Sequence, residues 1–300
     1  MPPETGGVLF VHAHPDDECV GTGGSIARLV AEGVRVDLVT CTDGAEGEVH
    51  DPTLDPEEAR PRLTAIRAAE LACSLDALGG GAIHQHLLGY RDSGMIGTDA
   101  NAHPDAFWQA DIELATGRLV EIVREARPAA IVTYDENGNY GHPDHINAAR
   151  IARQAYTALA GAPEAVDRFY ELAWSRERWE DVFGAMAERG IPRPWDRDDE
   201  GEEAAAAGEA SEAGDAEEQE EEGFGRPDAE VTTRVDVSGH LDAKRRSMDC
   251  HKTQRQDLGW LLDLPEDLAD KAIDTEYYVL RWLDGEDVDS THRETWLLAE

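Results

Sequence analysis

The sequence predicts an α/β fold with a mostly parallel, doubly wound (Rossmann-like) sheet, helices on both faces and a smaller C-terminal α+β portion. Short apolar segments alternate with amphipathic segments of helical period through the first half of the chain. Two of the apolar segments end in similar turns that contain histidine, proline and aspartate. A hydrophobic fraction of 41% is sufficient for a core in a chain of 300 residues.

The strand and helix predictions follow the chain in order. The first strand, 8–11, is apolar and ends before Pro15, which cannot donate a ladder hydrogen bond. The later strands are predicted at 34–40, 82–88, 129–134, 168–174, 231–237 and within 273–282. The helices are predicted at 25–32, 57–78, 112–126, 143–159, 176–189 and 240–253. The alternation of strands and helices predicts parallel crossovers, so the carboxyl ends of the strands should share one edge of the sheet.

The charge of the chain excludes some classes of partner. Aspartate and glutamate number 64 against 27 lysines and arginines, for a net charge of −37. Nucleic acid and anionic membrane surfaces are therefore not expected as partners. A charge of this size repels itself, which indicates a halophilic acidic surface that salt stabilises.

The same composition bears on location and on the cysteines. No apolar run reaches the roughly 20 residues of a membrane span, and no signal peptide is recognisable, so a cytoplasmic protein is expected. The cysteines at 19, 41, 73 and 250 form no CxxC pair, and we expect them to be free thiols. The oligomeric state is left open.

The expected organisation is a single domain made of 7–197 and 226–300. An acidic insert at 198–225 interrupts it, and we expect that insert to be disordered. Its residues 198–222 include thirteen acids and no base. Such a segment has little apolar surface to bury.

The two histidine-containing turns carry the predicted chemistry. His14 and Asp17 follow the first strand, and His145 follows the strand at 129–134. Two imidazoles and a carboxylate are a zinc ligand set that leaves a fourth position open, as in catalytic zinc sites. We therefore predict that His14, Asp17 and His145 bind Zn²⁺, with Fe²⁺ as the alternative, at the carboxyl edge where α/β sheets bind ligands.

Other residues of these turns are candidates for catalysis. Asp16 lies next to a ligand without being one, and is predicted to act as the general base. His142, if protonated, would stabilise an oxyanion. Asp144 would orient an imidazole through a hydrogen bond.

The same residues carry a family resemblance. The segment HAHPDDE at 12–18, with HPDH at 142–145, resembles the PIG-L/LmbE-like zinc-dependent deacetylases of N-acetylglucosaminyl conjugates. The segments at 91–94, 134–138 and 251–254 are similar to the branch that contains the mycothiol deacetylase and the mycothiol S-conjugate amidase. The resemblance spans roughly 7–160 and 231–260.

The resemblance implies roles for individual residues. It implies the same metal ligands, base and oxyanion partner as the turns predict. It adds Tyr140 as a mobile helper of the transition state, and Arg67 and Asp92 as the residues that hold the sugar. Gly21 departs from the amidase pattern, in which a lysine tends to stand at this position.

We therefore predict a hydrolase that deacetylates an amino-sugar conjugate by attack of zinc-bound hydroxide on the amide. One alternative is an amidase that cleaves a thiol S-conjugate of the mycothiol type. An alternative of another class is a non-catalytic sugar-binding module on the same fold. Binding alone would need neither Asp16 nor His142, which argues against the last alternative.

Overall fold

A computed structural model describes residues 6–193, 224–255 and 259–299 of the chain. Its strands are β1 (Val8–His12), β2 (Val36–Thr42), β3 (Ile83–Tyr90), β4 (Ala130–Thr133), β5 (Arg168–Ala173), β6 (Thr233–Asp236), β7 (Thr275–Leu283) and β8 (Glu286–Asp287). Its α-helices are α1 (Asp17–Val20), α2 (Gly23–Ala31), α3 (Pro56–Ala59), α4 (Leu63–Leu78), α5 (Ile112–Ala126), α6 (Pro143–Ala158), α7 (Arg176–Glu188), α8 (Leu241–Cys250) and α9 (Glu266–Ile273).

The strands form one sheet in the order β3-β2-β1-β4-β5-β7-β6, with β8 beside β7. Strands β1 to β5 are parallel to one another. Strand β7 runs antiparallel to β5, and β6 and β8 run antiparallel to β7. The prediction of a mostly parallel α/β sheet is therefore confirmed. The three C-terminal strands β6, β7 and β8 extend this sheet.

From β1 the chain adds β2 and β3 on one side of β1. It then returns to the other side of β1, where it adds β4 and β5. A crevice opens at such a switch point, beyond the carboxyl ends of the two central strands. Every residue of β1, β2 and β4 is buried, as expected for central parallel strands covered on both faces.

The helices cover the sheet in two groups. Helices α5 and α6 pack against each other and against the parallel strands, and α2, α4 and α8 pack together. The predicted helix 57–78 is divided into α3 and α4 by a 3₁₀ turn at Arg60–Arg62. Pro61 in that turn has no amide hydrogen to continue the α-helical ladder.

The expectation of four free thiols was wrong for two of them. Cys73 on α4 and Cys250 on α8 form a disulfide, with their Cα atoms 5.7 Å apart. The packing of α4 against α8 brings the two within the range that a disulfide spans, although 177 positions separate them in sequence. Cys19 and Cys41 are free and buried.

Residues 198–223 of the predicted acidic insert lie outside the described residues. The expected division into a domain and an insert therefore stays a prediction. Within the described ranges, none of the helices is both long and apolar enough to cross a membrane.

Candidate active site

The candidate site lies at the carboxyl ends of β1 and β4. These strands are parallel neighbours, with Val8 opposite Ala130 and Phe10 opposite Val132. The turn after β1 contributes the first histidine motif, and the loop after β4 leads to the second motif at the start of α6. The register of two adjacent strands thus brings together segments that lie about 130 positions apart.

The three predicted metal ligands face one another. His14 Nδ1 lies 3.2 Å from His145 Nε2. Asp17 Oδ2 lies 3.5 Å from His14 Nδ1, and Asp17 Oδ1 lies 3.4 Å from His145 Nε2. His14 and His145 are buried, at 7% and 3% exposure. The structure therefore brings the three donor groups to one point.

This arrangement suits a divalent metal ion. Ligand atoms about 2.0–2.1 Å from a tetrahedral zinc ion are about 3.3–3.4 Å apart, which matches the separations of the three donors. Asp17 is also fixed from the backbone, because its Oδ2 accepts a hydrogen bond of 2.7 Å from the His14 amide. His145 and His14 direct ring nitrogens at each other, a contact that a shared proton or cation would stabilise.

His14 is oriented by a second carboxylate. Its Nε2 lies 3.3 Å from Asp144 Oδ2, while Ser93 donates to Asp144 from its amide, at 2.9 Å, and from its hydroxyl. Burial acts to lower the pKa of His14, but Asp92, Asp144 and Asp17 together raise that pKa well above its ordinary value. A carboxylate at this distance can fix the tautomer of an imidazole, and the orienting role of Asp144 stays a prediction.

Asp16 precedes Asp17, one of the three predicted metal ligands, and has an unusual backbone conformation, with φ 133°. Its Oδ2 accepts a hydrogen bond of 2.7 Å from the Arg67 guanidinium. Burial raises the pKa of Asp16 to about 7, although the charge of Arg67 acts in the opposite direction. A carboxylate with a pKa near neutrality is matched to general-base catalysis.

His142 is the N-cap of α6, and its Nδ1 accepts a hydrogen bond of 3.1 Å from the Asp144 amide. The ring hydrogen is therefore on Nε2, and the side chain is a neutral donor. Burial, followed by the neighbouring His14 and His145, lowers the pKa of His142 to about 2. The structure thus favours an oxyanion partner that donates as a neutral imidazole, in place of the protonated form considered from sequence.

Tyr140 lies on the loop between β4 and α6 and is 59% exposed. Its hydroxyl lies 3.4 Å from His145 Nε2, so it reaches the predicted metal ligands from the solvent side. Asn139 before it and Gly138 both have positive φ, which defines the sharp turn of this loop.

The two predicted sugar-binding residues are almost fully buried, Arg67 and Asp92 each at 3% exposure. Arg67 donates to the carbonyls of Gly44 and Pro15 as well as to Asp16. The Asp92 carboxylate accepts from the amides of Glu46 and Gly94 and lies 3.7 Å from His14. Both side chains border the site, since Arg67 contacts Asp16 and Asp92 lies near His14.

Sequence reasoning assigned no role to Tyr134, which the structure places at the centre of the site. Its ring stacks on His145 with the centroids 4.1 Å apart, and its hydroxyl accepts a hydrogen bond of 2.9 Å from the Ala13 amide. The same hydroxyl lies 3.2 Å from His12 Nδ1. Tyr134 follows an apolar strand and has the character of a core residue, so the one signal in the sequence was its place in the 134–138 segment of the family resemblance.

Comparisons with known proteins agree on one family. The model of the PIG-L family, described as GlcNAc-PI de-N-acetylase, matches residues 9–156. A protein of Thermobispora bispora, named 1D-myo-inositol 2-acetamido-2-deoxy-alpha-D-glucopyranoside deacetylase, is 43% identical over 258 residues, which cover 82% of this chain and 78% of that protein. A protein of the same name from Thermobifida fusca is 39% identical over 285 residues, covering 91% of this chain and 92% of that protein.

A solved structure, the N,N'-diacetylchitobiose deacetylase of Pyrococcus horikoshii, is similar in fold. The TM-score is 0.53 at 19% sequence identity, and the match covers 92% of this chain and 84% of that one. Likeness at this level of identity concerns the fold alone.

Proposed function

Because the chain belongs to the PIG-L de-N-acetylase family, we propose that it removes the acetyl group from an inositol glycoside of N-acetylglucosamine. The chain is a hydrolase that acts on amide bonds. The observation that supports the proposal most directly is the convergence of His14, Asp17 and His145 with Asp16 beside them. A sugar-binding module would have no use for this arrangement.

His14, Asp17 and His145 would hold the metal, which we propose to be Zn²⁺, with Fe²⁺ as the alternative. When bound, such an ion supplies Lewis-acid activation of the amide carbonyl and of the attacking water. Asp144 keeps His14 in the tautomer that presents Nδ1 to the metal.

Asp16 takes the proton of the attacking water as the water oxygen bonds to the amide carbon. The tetrahedral intermediate collapses when its C–N bond breaks, and Asp16 returns the proton to the departing nitrogen. The products are acetic acid and the free amine, which become acetate and the protonated amine once the acid ionises, so atoms and protons balance. Arg67 holds the Asp16 carboxylate at 2.7 Å and keeps its orientation through both transfers.

The neutral Nε2–H of His142 would donate to the oxyanion of the intermediate. Tyr140 would approach the same oxygen, because its hydroxyl already lies at the solvent side of the cluster. Arg67 and Asp92 would hold the sugar where they border the site, in addition to their contacts within the protein.

Amidase action on a thiol S-conjugate is the alternative. Gly21 bears on it, because a Cβ atom at this position would lie 2.7 Å from Leu172 Cδ2. The backbone there packs on the end of the Leu172 side chain, which would have to move to admit the lysine that the amidases tend to carry. This observation favours the deacetylase.

The cytoplasmic location expected from sequence is also a proposal. The buried thiols of Cys19 and Cys41 favour it, whereas the Cys73–Cys250 disulfide is more usual in oxidising compartments. The small-molecule substrate is the one partner that we propose.

The test is an assay of purified protein, with its metal content measured, on the inositol glycoside of N-acetylglucosamine and on a thiol S-conjugate in parallel. We expect acetate and free amine from the first substrate and slower turnover of the second. The Asp16→Asn variant should retain the metal and lose roughly 10²–10⁴-fold in rate. Faster turnover of the S-conjugate, or loss of metal from Asp16→Asn, would contradict the proposal.

A further inference from the structure

The backbone of Asp16 requires outside support. Its φ of 133° lies in a region that residues other than glycine rarely adopt, so the conformation is strained and persists only where its surroundings hold it. Asp16 is the N-cap of α1, yet its side chain makes no capping hydrogen bond. Other groups must therefore hold the residue in place.

Glu18 supplies one of these groups. Its Oε2 accepts a hydrogen bond of 2.9 Å from the Asp16 amide. The carbonyl of Asp16 accepts hydrogen bonds from the Cys19 amide, at 3.1 Å, and from the Cys19 thiol, at 2.9 Å. The carboxylate of Asp16 is held separately by Arg67. Both peptide groups that flank the Asp16 Cα atom are thus anchored.

Glu18 is itself fixed from two distant parts of the chain. It is 1% exposed, and its Oε1 accepts a hydrogen bond of 2.7 Å from His251 Nε2 and a short one from the Ser74 hydroxyl. Because Ser74 donates to Glu18, the Ser247 hydroxyl, 2.6 Å away, donates to Ser74. A buried carboxylate with this many donors has one low-energy orientation.

The donors to Glu18 lie next to the disulfide. Ser74 follows Cys73 on α4, and His251 follows Cys250 at the end of α8. The covalent bond therefore ties together the two segments from which Glu18 is held. The first turn after β1 is in this way coupled to the C-terminal part of the chain.

We propose that Glu18 is a positioning residue for Asp16, held in place by His251 and Ser74. The proposal rests on the proposed function in one respect, since it takes Asp16 to be the base. Glu18 does not touch the substrate. It keeps the Asp16 carboxylate aimed at the attacking water by fixing the backbone from which that carboxylate projects.

The first test is a double-mutant cycle between Glu18→Ala and Asp16→Asn, with kcat, KM and metal content measured for each variant. Glu18→Ala should lower kcat by about 10²-fold, the cost of a misplacement of about 1 Å, with little change in KM or metal content. In the Asp16→Asn background the same change should have almost no further effect. An equal loss in both backgrounds, or a loss explained by missing metal, would overturn the proposal.

Two further variants sharpen the cycle. Glu18→Gln should recover part of the rate, because its amide oxygen can still accept the Asp16 hydrogen bond, whereas its NH2 group then faces the donors His251 and Ser74. Glu276→Ala is the matched control, since Glu276 is likewise buried, at 3% exposure, and accepts hydrogen bonds from the amides of Gly24 and Ser25 and from Lys244, with no hydrogen bond to Asp16. If Glu276→Ala lowers kcat as much as Glu18→Ala, the effect is general destabilisation and the proposal fails.

A crystal structure of Glu18→Ala gives a readout that is independent of activity. Asp16 should leave positive φ and lose its Arg67 contact. An unchanged Asp16 would overturn the proposal.

If Glu18→Ala does not fold, Ser74→Ala removes one donor to Glu18. This variant should show a smaller loss of kcat that also vanishes in the Asp16→Asn background. If Asp16→Asn keeps the full rate, the base assignment fails, and the crystal structure alone decides whether Glu18 positions Asp16.

Discussion

His14 Nε2 and Asp144 Oδ2 lie 3.3 Å apart, which joins the turn after β1 to the first turn of α6. The pair is closed to solvent, because Asp144 is fully buried and His14 nearly so. His14 therefore presents its other nitrogen to Asp17 and His145 in one fixed orientation.

Replacing Asp144 should weaken metal binding. Asp144→Asn removes the charge opposite His14 while keeping the side-chain volume, and such outer partners typically contribute 10–100-fold to metal affinity. We expect a loss of that size in competition with a chelator of known affinity. Ser93→Ala, which removes one donor to Asp144, should show a smaller loss in the same direction. Unchanged affinity in Asp144→Asn would mean that the pair does not orient the ligand.

Reduction of the Cys73–Cys250 disulfide should lower the free energy of unfolding. The bond closes a loop across a sequence separation of 177, and long loops gain the most from closure, so we expect about 2–5 kcal/mol. Urea unfolding with and without a dithiol reductant measures the difference. The variant with alanine at both positions should match the reduced protein and should not respond to reductant. A response in that variant would assign the effect to something other than this bond.

The buried ion pair of Lys244 and Glu276 should be costly to break from one side. Lys244 Nζ lies 2.7 Å from Glu276 Oε1, and the two side chains are 1% and 2% exposed. Lys244→Met leaves the carboxylate buried without its partner, which should cost about 3–5 kcal/mol of stability. Adding Glu276→Gln removes the unpaired charge and should recover part of the loss. If the loss in the free energy of unfolding of the double variant equals the sum of the losses of the two single variants, the two residues are not coupled.

Salt should stabilise the folded protein, whether or not the acidic segment is present. Deleting 198–222 removes thirteen acids and changes the net charge from −37 to −24, so strong self-repulsion remains. The Debye length falls from about 10 Å at 0.1 M salt to about 3 Å at 1 M. Thermal unfolding across a salt series should show a rising midpoint for the full chain and for the deletion variant. A rise confined to the full chain would assign the effect to the segment, and no rise in either would exclude a halophilic surface.

Local patterns in the sequence determined much of the fold and the identity of the site. Apolar segments bounded by proline and glycine predicted the parallel strands, and the helix Ile112–Ala126 has the bounds expected from its amphipathic period. The residues of the two histidine motifs predicted the donor groups, because ligand chemistry depends on the side chains themselves. These features are encoded over a few residues, so one sequence is sufficient to recognise them.

Only the tertiary structure decided which distant residues meet. The adjacency of β1 and β4 places His14 against Asp144, and the packing of α4 on α8 joins Cys73 to Cys250. It also placed His142 Nδ1 as the acceptor of the Asp144 amide, which leaves Nε2 as the ring nitrogen that can donate. Glu18 has no visible role in sequence because its donors, Ser74 and His251, are 56 and 233 positions away. Strand order and helix packing are collective properties of the core, and no local segment of the chain encodes them.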